Sequence, residues 1–196
     1  KNVGLFDLTP FSKFEIKSDK AYQELQKICT ANIKNEPGKC VYTHMLNPDG
    51  GIETDLTVVC VEKNHFRIIS SAATRERDKF HIKKYLSNDI ELKDITDDLC
   101  VFGLFGPKSR DLIKATSKDN FDNDNFKFGT AKYITIEGIK IWAQRLSYVG
   151  ELGYELYVEF KDAKKIYKLL IEKGKDFNLS NCGMHAMDIM RMESGF

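Results

Sequence analysis

The sequence lacks the cysteine patterns that mark several classes of protein. Its five cysteines are an odd number at wide spacings, and no two of them form a Cys-x-x-Cys pair. This arrangement gives no support to a zinc knuckle or a thioredoxin-type redox motif, so buried free thiols are the simpler interpretation. Free thiols in turn favour a reducing compartment.

An excess of charge of one sign is also missing. Thirty basic residues face twenty-nine acidic ones, for a net charge of +1. A nucleic-acid-binding protein usually has a basic excess or a clustered basic face. The short lysine runs here are interleaved with apolar residues, as on solvated helix faces. No apolar run approaches the roughly 20 residues of a transmembrane helix. We therefore expect neither a nucleic-acid partner nor a membrane partner.

Familiar catalytic and cofactor motifs are absent as well. The segment FGLFG has the wrong glycine spacing for a dinucleotide-binding fingerprint. No Gly-x-Ser-x-Gly elbow occurs, which leaves nucleophilic catalysis by serine unsupported. The four histidines, at His44, His65, His81 and His185, do not have the spacing of metal-ligating pairs. We therefore predict no metal site.

The chain does have an ordinary globular composition, with 42% hydrophobic and 30% charged residues over 196 positions. That length suits one large domain or two small ones. The segment LFDLTPFSKFEIKS alternates as one strand, and helical spacing follows around Ala21 to Cys29. A final helix is predicted from Met184 to Glu193. Strands and helices are intermixed and hairpins dominate, which predicts an α+β fold with mainly antiparallel sheets and packed helices.

One candidate for function lies in the stretch YTHMLNPDGGIETDLTVV, Tyr42 to Val59. It reads as a hairpin around an Asn-Pro-Asp-Gly-Gly turn. Asp55 lies in the middle of the second strand, although aspartate is depleted from strands. By the period of two, Asp55 shares a strand face with Glu53 and Thr57. Periodicity alone favours a solvated outer face, because antiparallel sheets commonly expose one face, and a functional site is the alternative.

A second candidate is the segment RLSYVGELGYELYVEF. It places Tyr148 and Glu151 around a Gly-x-x-Gly turn, and it places Glu155 in the strand that follows, on the same face as Tyr157. The two glycines would allow a tight turn or the close approach of a ligand. A decorated hairpin is the simpler interpretation. A tyrosine beside a glutamate can, however, clamp a flat heteroaromatic ring by stacking and by accepting paired N–H bonds.

The chain resembles the folate-binding family of the glycine cleavage T-protein, an aminomethyltransferase, in four segments: VGLFDLTPFSKFEI, YTHMLNPDGGIETDL, YVGELGYEL and AMDIMRMESGF. These segments span nearly the whole chain in the family's order. Thr54 and Met187 stand where the T-protein pattern usually has Asp and Arg. At these two positions the chain is more similar to the C-terminal folate domain of dimethylglycine and sarcosine dehydrogenases.

The resemblance implies a T-protein-like folate-binding domain over residues 1–196, either as one body or as two interlocked α+β subdomains. Full-length members of the family continue into a small barrel-like domain that this chain lacks. We therefore expect the chain to be a fragment of a longer protein. Arg191 matches an arginine of the closing helix, which we interpret as structural, with Asp188 or Glu193 as its partner.

The resemblance also implies roles for individual residues. Asp55 matches the family's key acidic residue near folate N10, and we expect it to be catalytic. Glu155 matches the carboxylate that holds the amino-pyrimidine edge of the pterin. Tyr148 matches an aromatic residue that lines the pterin, and Ile69 matches a position whose backbone touches it. Glu151 is a second candidate for contact with the pterin.

The implied cofactor is tetrahydrofolate, which would capture the one-carbon unit of an oxidised N-methyl glycine as 5,10-methylenetetrahydrofolate. FAD would belong only to a domain of the parent protein that this chain lacks, and a flavin dehydrogenase domain or subunit is an expected partner. Two alternatives stay open: a free-standing aminomethyltransferase of the glycine cleavage system and a non-catalytic folate-binding regulatory module. We expect a cytoplasmic location if the source is bacterial and the mitochondrial matrix if it is eukaryotic.

Overall fold

The computed structural model describes residues 2–196, which form two compact units. We call residues 2–9 and Asp97–Phe196 the split unit, because the sequence leaves this unit and later returns to it. The continuous stretch between those two segments, Pro10–Thr96, is called the inserted unit. Each unit has its own sheet and its own buried apolar cluster.

Residues 2–196 form eleven strands and five α-helices. In chain order, they are β1 (Val3–Asp7), β2 (Ser12–Lys17), α1 (Ala21–Ile28), β3 (Cys40–Leu46), β4 (Ile52–Glu62), β5 (His65–Ser70), α2 (Arg75–Tyr85), β6 (Leu92–Asp94), β7 (Leu99–Phe105), α3 (Ser109–Thr116), β8 (Thr130–Ile136), β9 (Ile139–Arg145), β10 (Gly153–Glu159), α4 (Phe160–Gly174), β11 (Leu179–Cys182) and α5 (Met184–Glu193). Within this described range, no helix has the length and apolarity needed to cross a membrane.

The split unit is built on a six-stranded sheet with the order β11-β1-β7-β10-β9-β8. Neighbouring strands are antiparallel except β1 and β11, which run parallel. Tyr154 and Leu156 of β10 enter the apolar cluster that also includes Ile166 and Leu170 of α4. Because successive strand side chains point to opposite faces, Glu155 lies on the other face of this sheet.

The inserted unit is built on a five-stranded antiparallel sheet with the order β3-β4-β5-β2-β6. Leu56 and Val58 of β4 lie in an apolar cluster with Leu25 of α1 and Ile82 of α2. The helices therefore cover one face of the sheet. Asp55 alternates with these buried residues and lies on the opposite face.

The predicted α+β class with mainly antiparallel sheets is confirmed, and α5 has the predicted bounds, Met184–Glu193. The prediction of a single strand over LFDLTPFSKFEIKS was wrong, because β1 and β2 belong to different units. Between them, the backbone N–H of Thr9 donates to the carboxylate of Asp7 at 3.0 Å, which forms a local turn. Pro10 follows and has no N–H to donate to a strand partner.

Candidate functional site

The turn of the first hairpin is closed by Asn47 and by the glycines that follow it. Asn47 closes the turn with its backbone N–H, which donates to the carbonyl of Gly51 at 2.8 Å. Its side-chain Oδ1 accepts from the backbone N–H groups of Asp49 at 3.0 Å and Gly51 at 2.8 Å. Gly50 has φ of +83°, a left-handed conformation that favours glycine. The predicted hairpin is therefore built by the residues that indicated it.

Asp55 lies exposed on β4 and is held by a tyrosine. The Tyr42 hydroxyl donates to Asp55 Oδ2 at 3.1 Å. His44 is the Cα partner of Asp55, and its backbone N–H and C=O both bond to Thr30 rather than across to β4. Such a pair is of the non-hydrogen-bonded kind, in which side chains stand closer together. Asp55, Tyr42 and His44 therefore form a polar cluster that solvent and a ligand can reach.

Ile69 belongs to the same sheet face as Asp55. It lies on β5, where its Cα partner on β4 is Thr57, two residues after Asp55. Residues directly opposite share a face, and so do residues two apart on one strand. The inserted unit therefore brings two of the residues predicted for the site, Asp55 and Ile69, onto one face of one sheet.

Among the carboxyl groups of the split unit, Glu155 has the largest shift in pKa. Its Oε2 accepts a hydrogen bond from the Tyr157 hydroxyl at 2.8 Å. Glu155 keeps a partly accessible surface, yet burial of its carboxyl raises the pKa to about 7, against the smaller lowering effect of the Tyr157 hydrogen bond. Because the ionised carboxylate is poorly solvated, N–H donors from a ligand would stabilise it.

Two glycines explain the apolar surroundings of Glu155. Gly103 of β7 lies directly opposite Glu155, and Gly153 lies two residues before it on the same face. A Cβ at Gly153 would stand 2.5 Å from Cδ1 of Phe105, and one at Gly103 would stand 2.9 Å from Cε2 of the same ring. The missing side chains therefore leave room for the Phe105 ring to lie against the same face of the sheet that carries Glu155.

The loop between β9 and β10 carries Tyr148 and Glu151. The Tyr148 ring meets the Phe196 ring edge-on, with centroids 5.3 Å apart. The Ser194 hydroxyl donates to the carbonyl of Val149 at 2.8 Å, which ties the loop to the end of α5. Glu151 is exposed on this loop. Tyr148 is thus held by the last residues of the chain, whereas Glu151 faces solvent.

Two residues of the closing helix α5, Arg191 and Met187, have different surroundings. Arg191 donates from Nε to Asp188 Oδ1 at 3.4 Å and from a terminal nitrogen to the carbonyl of Phe196 at 3.2 Å. Of the two partners predicted for Arg191, Asp188 is the one in contact. Met187, where the T-protein pattern usually has arginine, is buried. The side chain at this position is therefore apolar and shielded from solvent.

The predicted site residues divide between the two units. Asp55 and Ile69 lie in the inserted unit, and Glu155, Tyr148 and Glu151 lie in the split unit. Each unit by itself presents a carboxyl group held by a tyrosine hydroxyl, on the sheet face opposite α1 and α2 in the inserted unit and opposite α3 and α4 in the split unit.

Sequence reasoning placed Tyr157 on the same strand face as Glu155 by the period of two, and it missed Tyr42, the tyrosine that holds Asp55. Tyr42 required the strand register, since β3 and β4 pair with a bulge between Met45 and Leu46 that shifts the count from the turn. Gln144, the Cα partner of Glu155 on β9, was also missed, and only the strand pairing identifies it.

Comparisons with known proteins agree on the family. The GCVT N-terminal domain family matches residues 1–196. Dimethylglycine dehydrogenase, mitochondrial, of Rattus norvegicus is 33% identical over 199 residues, which cover 100% of this chain and 23% of that protein. The 4-methylaminobutanoate oxidase (formaldehyde-forming) of Paenarthrobacter nicotinovorans is 34% identical over 197 residues, which cover 100% of this chain and 24% of that protein. The chain thus spans about a quarter of the length of each relative.

A solved structure shares the fold. The glycine cleavage system aminomethyltransferase T from Bartonella henselae superposes with a TM-score of 0.86 at 19% sequence identity, over 100% of this chain and 52% of that one. At this identity the likeness concerns the fold alone.

Proposed function

The chain belongs to the GCVT N-terminal domain family, and from this membership we propose that it takes part in tetrahydrofolate-dependent one-carbon transfer. The observation that carries the proposal is the environment of Glu155. A carboxyl with a pKa of about 7 lies beside the Phe105 ring, bonded to Tyr157, at the position that the family resemblance assigns to the pterin. A flat, neutral ring with N–H donors fits this acceptor.

The two relatives support a particular source for the one-carbon unit. Their names identify dimethylglycine and 4-methylaminobutanoate as substrates, and both compounds carry an N-methyl group. Oxidation of such a group gives a carbon atom at the oxidation level of formaldehyde. The name of the second relative describes it as formaldehyde-forming. We propose that this chain is the folate domain of a dimethylglycine or sarcosine dehydrogenase-like protein. A flavin-containing domain or subunit outside this chain would carry out the oxidation.

Each proposed residue has a distinct task. Tetrahydrofolate supplies two amine nitrogens, N5 and N10, that hold the one-carbon unit in 5,10-methylenetetrahydrofolate. Asp55 would act as the general base for the proton at N10 and would stabilise nearby positive charge, while the Tyr42 hydroxyl orients its carboxylate. Glu155 accepts the paired N–H groups of the pterin edge, and Tyr148 lines the ring.

Ile69 and Glu151 are the two remaining residues for which we propose a role. Ile69 contributes from the Asp55 face of the inserted unit's sheet, and Glu151, exposed on the Tyr148 loop, is a second acceptor for the pterin. The proposed location follows the source, the cytoplasm in a bacterium or the mitochondrial matrix in a eukaryote. One relative is named as mitochondrial.

The alternatives predict different behaviour. A free-standing aminomethyltransferase shares the fold, and it would release the one-carbon unit from a lipoylated carrier instead of from formaldehyde-level carbon. The buried Met187 stands where the T-protein pattern has arginine, which favours the dehydrogenase branch. A regulatory module would bind folate without turnover, so loss of Asp55 would leave its function intact.

Calorimetric titration with 5-formyltetrahydrofolate tests the proposal. We expect Glu155→Ala to weaken binding by about 10- to 150-fold, because a hydrogen bond to a charged group contributes about 1.5–3 kcal/mol. Glu159→Ala, an exposed glutamate on the same strand, is the matched control and should bind like the wild type. A folded wild-type protein that does not bind this ligand would contradict the proposed function.

A further inference from the structure

Gln144 stands out among the buried polar residues of the split unit. It lies on β9, with Glu155 of β10 as its Cα partner, and its side chain is 0% exposed. Within the described chain, neither Oε1 nor Nε2 of Gln144 has a hydrogen-bond partner. Leaving both groups of a carboxamide buried and unpaired is unfavourable, so this position calls for an explanation other than packing.

A second glutamine, the half-buried Gln26, shows how the chain provides hydrogen bonds to a carboxamide whose role is structural. Gln26 of α1 donates from Nε2 to the carbonyl of Ala31 at 3.0 Å and accepts at Oε1 from the backbone N–H of Ile33 at 3.0 Å. Both halves of its carboxamide are thereby used to fix the end of α1. Gln144 has the same functional group and no such partner, which separates it from this structural role.

The neighbours of Gln144 indicate where a partner would come from. Side chains that lie directly opposite on antiparallel strands have Cβ atoms about 4.5–5.5 Å apart, so the side chains of Gln144 and Glu155 start from neighbouring positions on one face of the sheet. On the other side of Glu155, Gly103 contributes no side chain. A carboxylate can only accept hydrogen bonds, whereas a carboxamide both donates and accepts. The pair therefore complements a ring edge on which N–H groups adjoin a carbonyl oxygen.

We propose that Gln144 is a further ligand-binding residue, whose carboxamide hydrogen-bonds the carbonyl-bearing edge of the same heterocycle that Glu155 holds by its N–H groups. The inference rests on the proposed function and specifies its ligand class, a fused ring that contains a cyclic amide. Burial of Gln144 excludes competing water, and ligand binding supplies the hydrogen bonds that the free protein lacks.

The test compares Gln144→Met with Gln26→Met in the full chain, with 5-formyltetrahydrofolate as the probe. Gln144→Met should raise the dissociation constant by about 3- to 10-fold, as expected for lost hydrogen bonds between neutral groups. It should also leave the melting temperature of the free protein unchanged or higher, because an unpaired buried amide is removed. Gln26→Met should lower the melting temperature and leave the dissociation constant unchanged.

Three results have defined meanings. If Gln144→Met binds the probe as tightly as the wild type, the role of Gln144 is refuted while the proposed function stands. If Gln144→Met lowers the melting temperature as Gln26→Met does, the amide is structural and the inference is also refuted. If the wild type itself fails to bind, the proposed function is refuted and this inference with it.

Discussion

The two units use the same pair of groups in different surroundings. In the inserted unit, the Tyr42 hydroxyl donates to Asp55 at 3.1 Å on an exposed sheet face. In the split unit, the Tyr157 hydroxyl donates to Glu155 at 2.8 Å beside the Phe105 ring, and burial raises the pKa of Glu155 to about 7. The hydrogen bond is similar, so the surroundings set the difference: the Asp55 carboxylate is exposed to solvent, whereas the Glu155 carboxyl is poorly solvated.

The largest expected effect concerns Asp55, if its exposed carboxylate is the catalytic one. Asp55→Asn keeps the shape of the side chain and removes its capacity to accept a proton. We expect the enzyme-dependent rate of 5,10-methylenetetrahydrofolate formation to fall by about 10²- to 10⁴-fold, as for loss of a general base. Affinity for 5-formyltetrahydrofolate, measured by calorimetry, should change little. Equal losses of rate and affinity would instead assign Asp55 to binding and erase the distinction between the two carboxyl groups.

A smaller effect is expected on the stability of the ligand-free protein. The pKa of Glu155 is raised from 4.5 to about 7 in the folded state, so between these values the folded protein holds a proton that the unfolded chain has lost. Stability should therefore fall as the pH rises through this window, and Glu155→Gln should relieve up to about 3 kcal/mol of that loss.

Urea denaturation at about pH 4 and about pH 8 measures this difference. The free energy of unfolding of the variant should be close to that of the wild type at the lower pH, where Glu155 is mostly protonated in both states, and should exceed it at the higher pH. The exposed Glu159, changed to Gln, provides the matched control and should shift neither value. A wild type as stable as Glu155→Gln at the higher pH would show that the Glu155 carboxyl is well solvated after all.

The smallest of the three effects is the pH dependence of affinity. A ligand that donates N–H groups needs the ionised carboxylate of Glu155, so affinity should fall as the pH drops below about 7. Between about pH 8 and about pH 6 the dissociation constant for 5-formyltetrahydrofolate should rise roughly tenfold, the change expected for one proton. Glu155→Gln should bind more weakly and lose this dependence. A pH dependence that persists in this variant would place the titrating group elsewhere.

Local features of the fold were predictable because their causes are local. The Asn47 turn, with glycine where φ is positive, gave the first hairpin, and α5 has the bounds predicted for the final helix. The break in LFDLTPFSKFEIKS was missed. Its alternation of apolar and polar residues continues across Pro10, although the strands on either side join different sheets. Periodicity reports which face a residue occupies and not which strand lies beside it.

The sequence by itself determined the family, the α+β class, and the sheet faces that carry Asp55 and Glu155, because four ordered segments and the period of two express them directly. Only the tertiary structure decided that Glu155 has a raised pKa and that Gln144 lies beside it without a partner. Those properties depend on strand register, which pairs Gln144 with Glu155, and on the burial of both side-chain groups. Neighbours distant in sequence create them, and no stretch of residues around Glu155 encodes them alone.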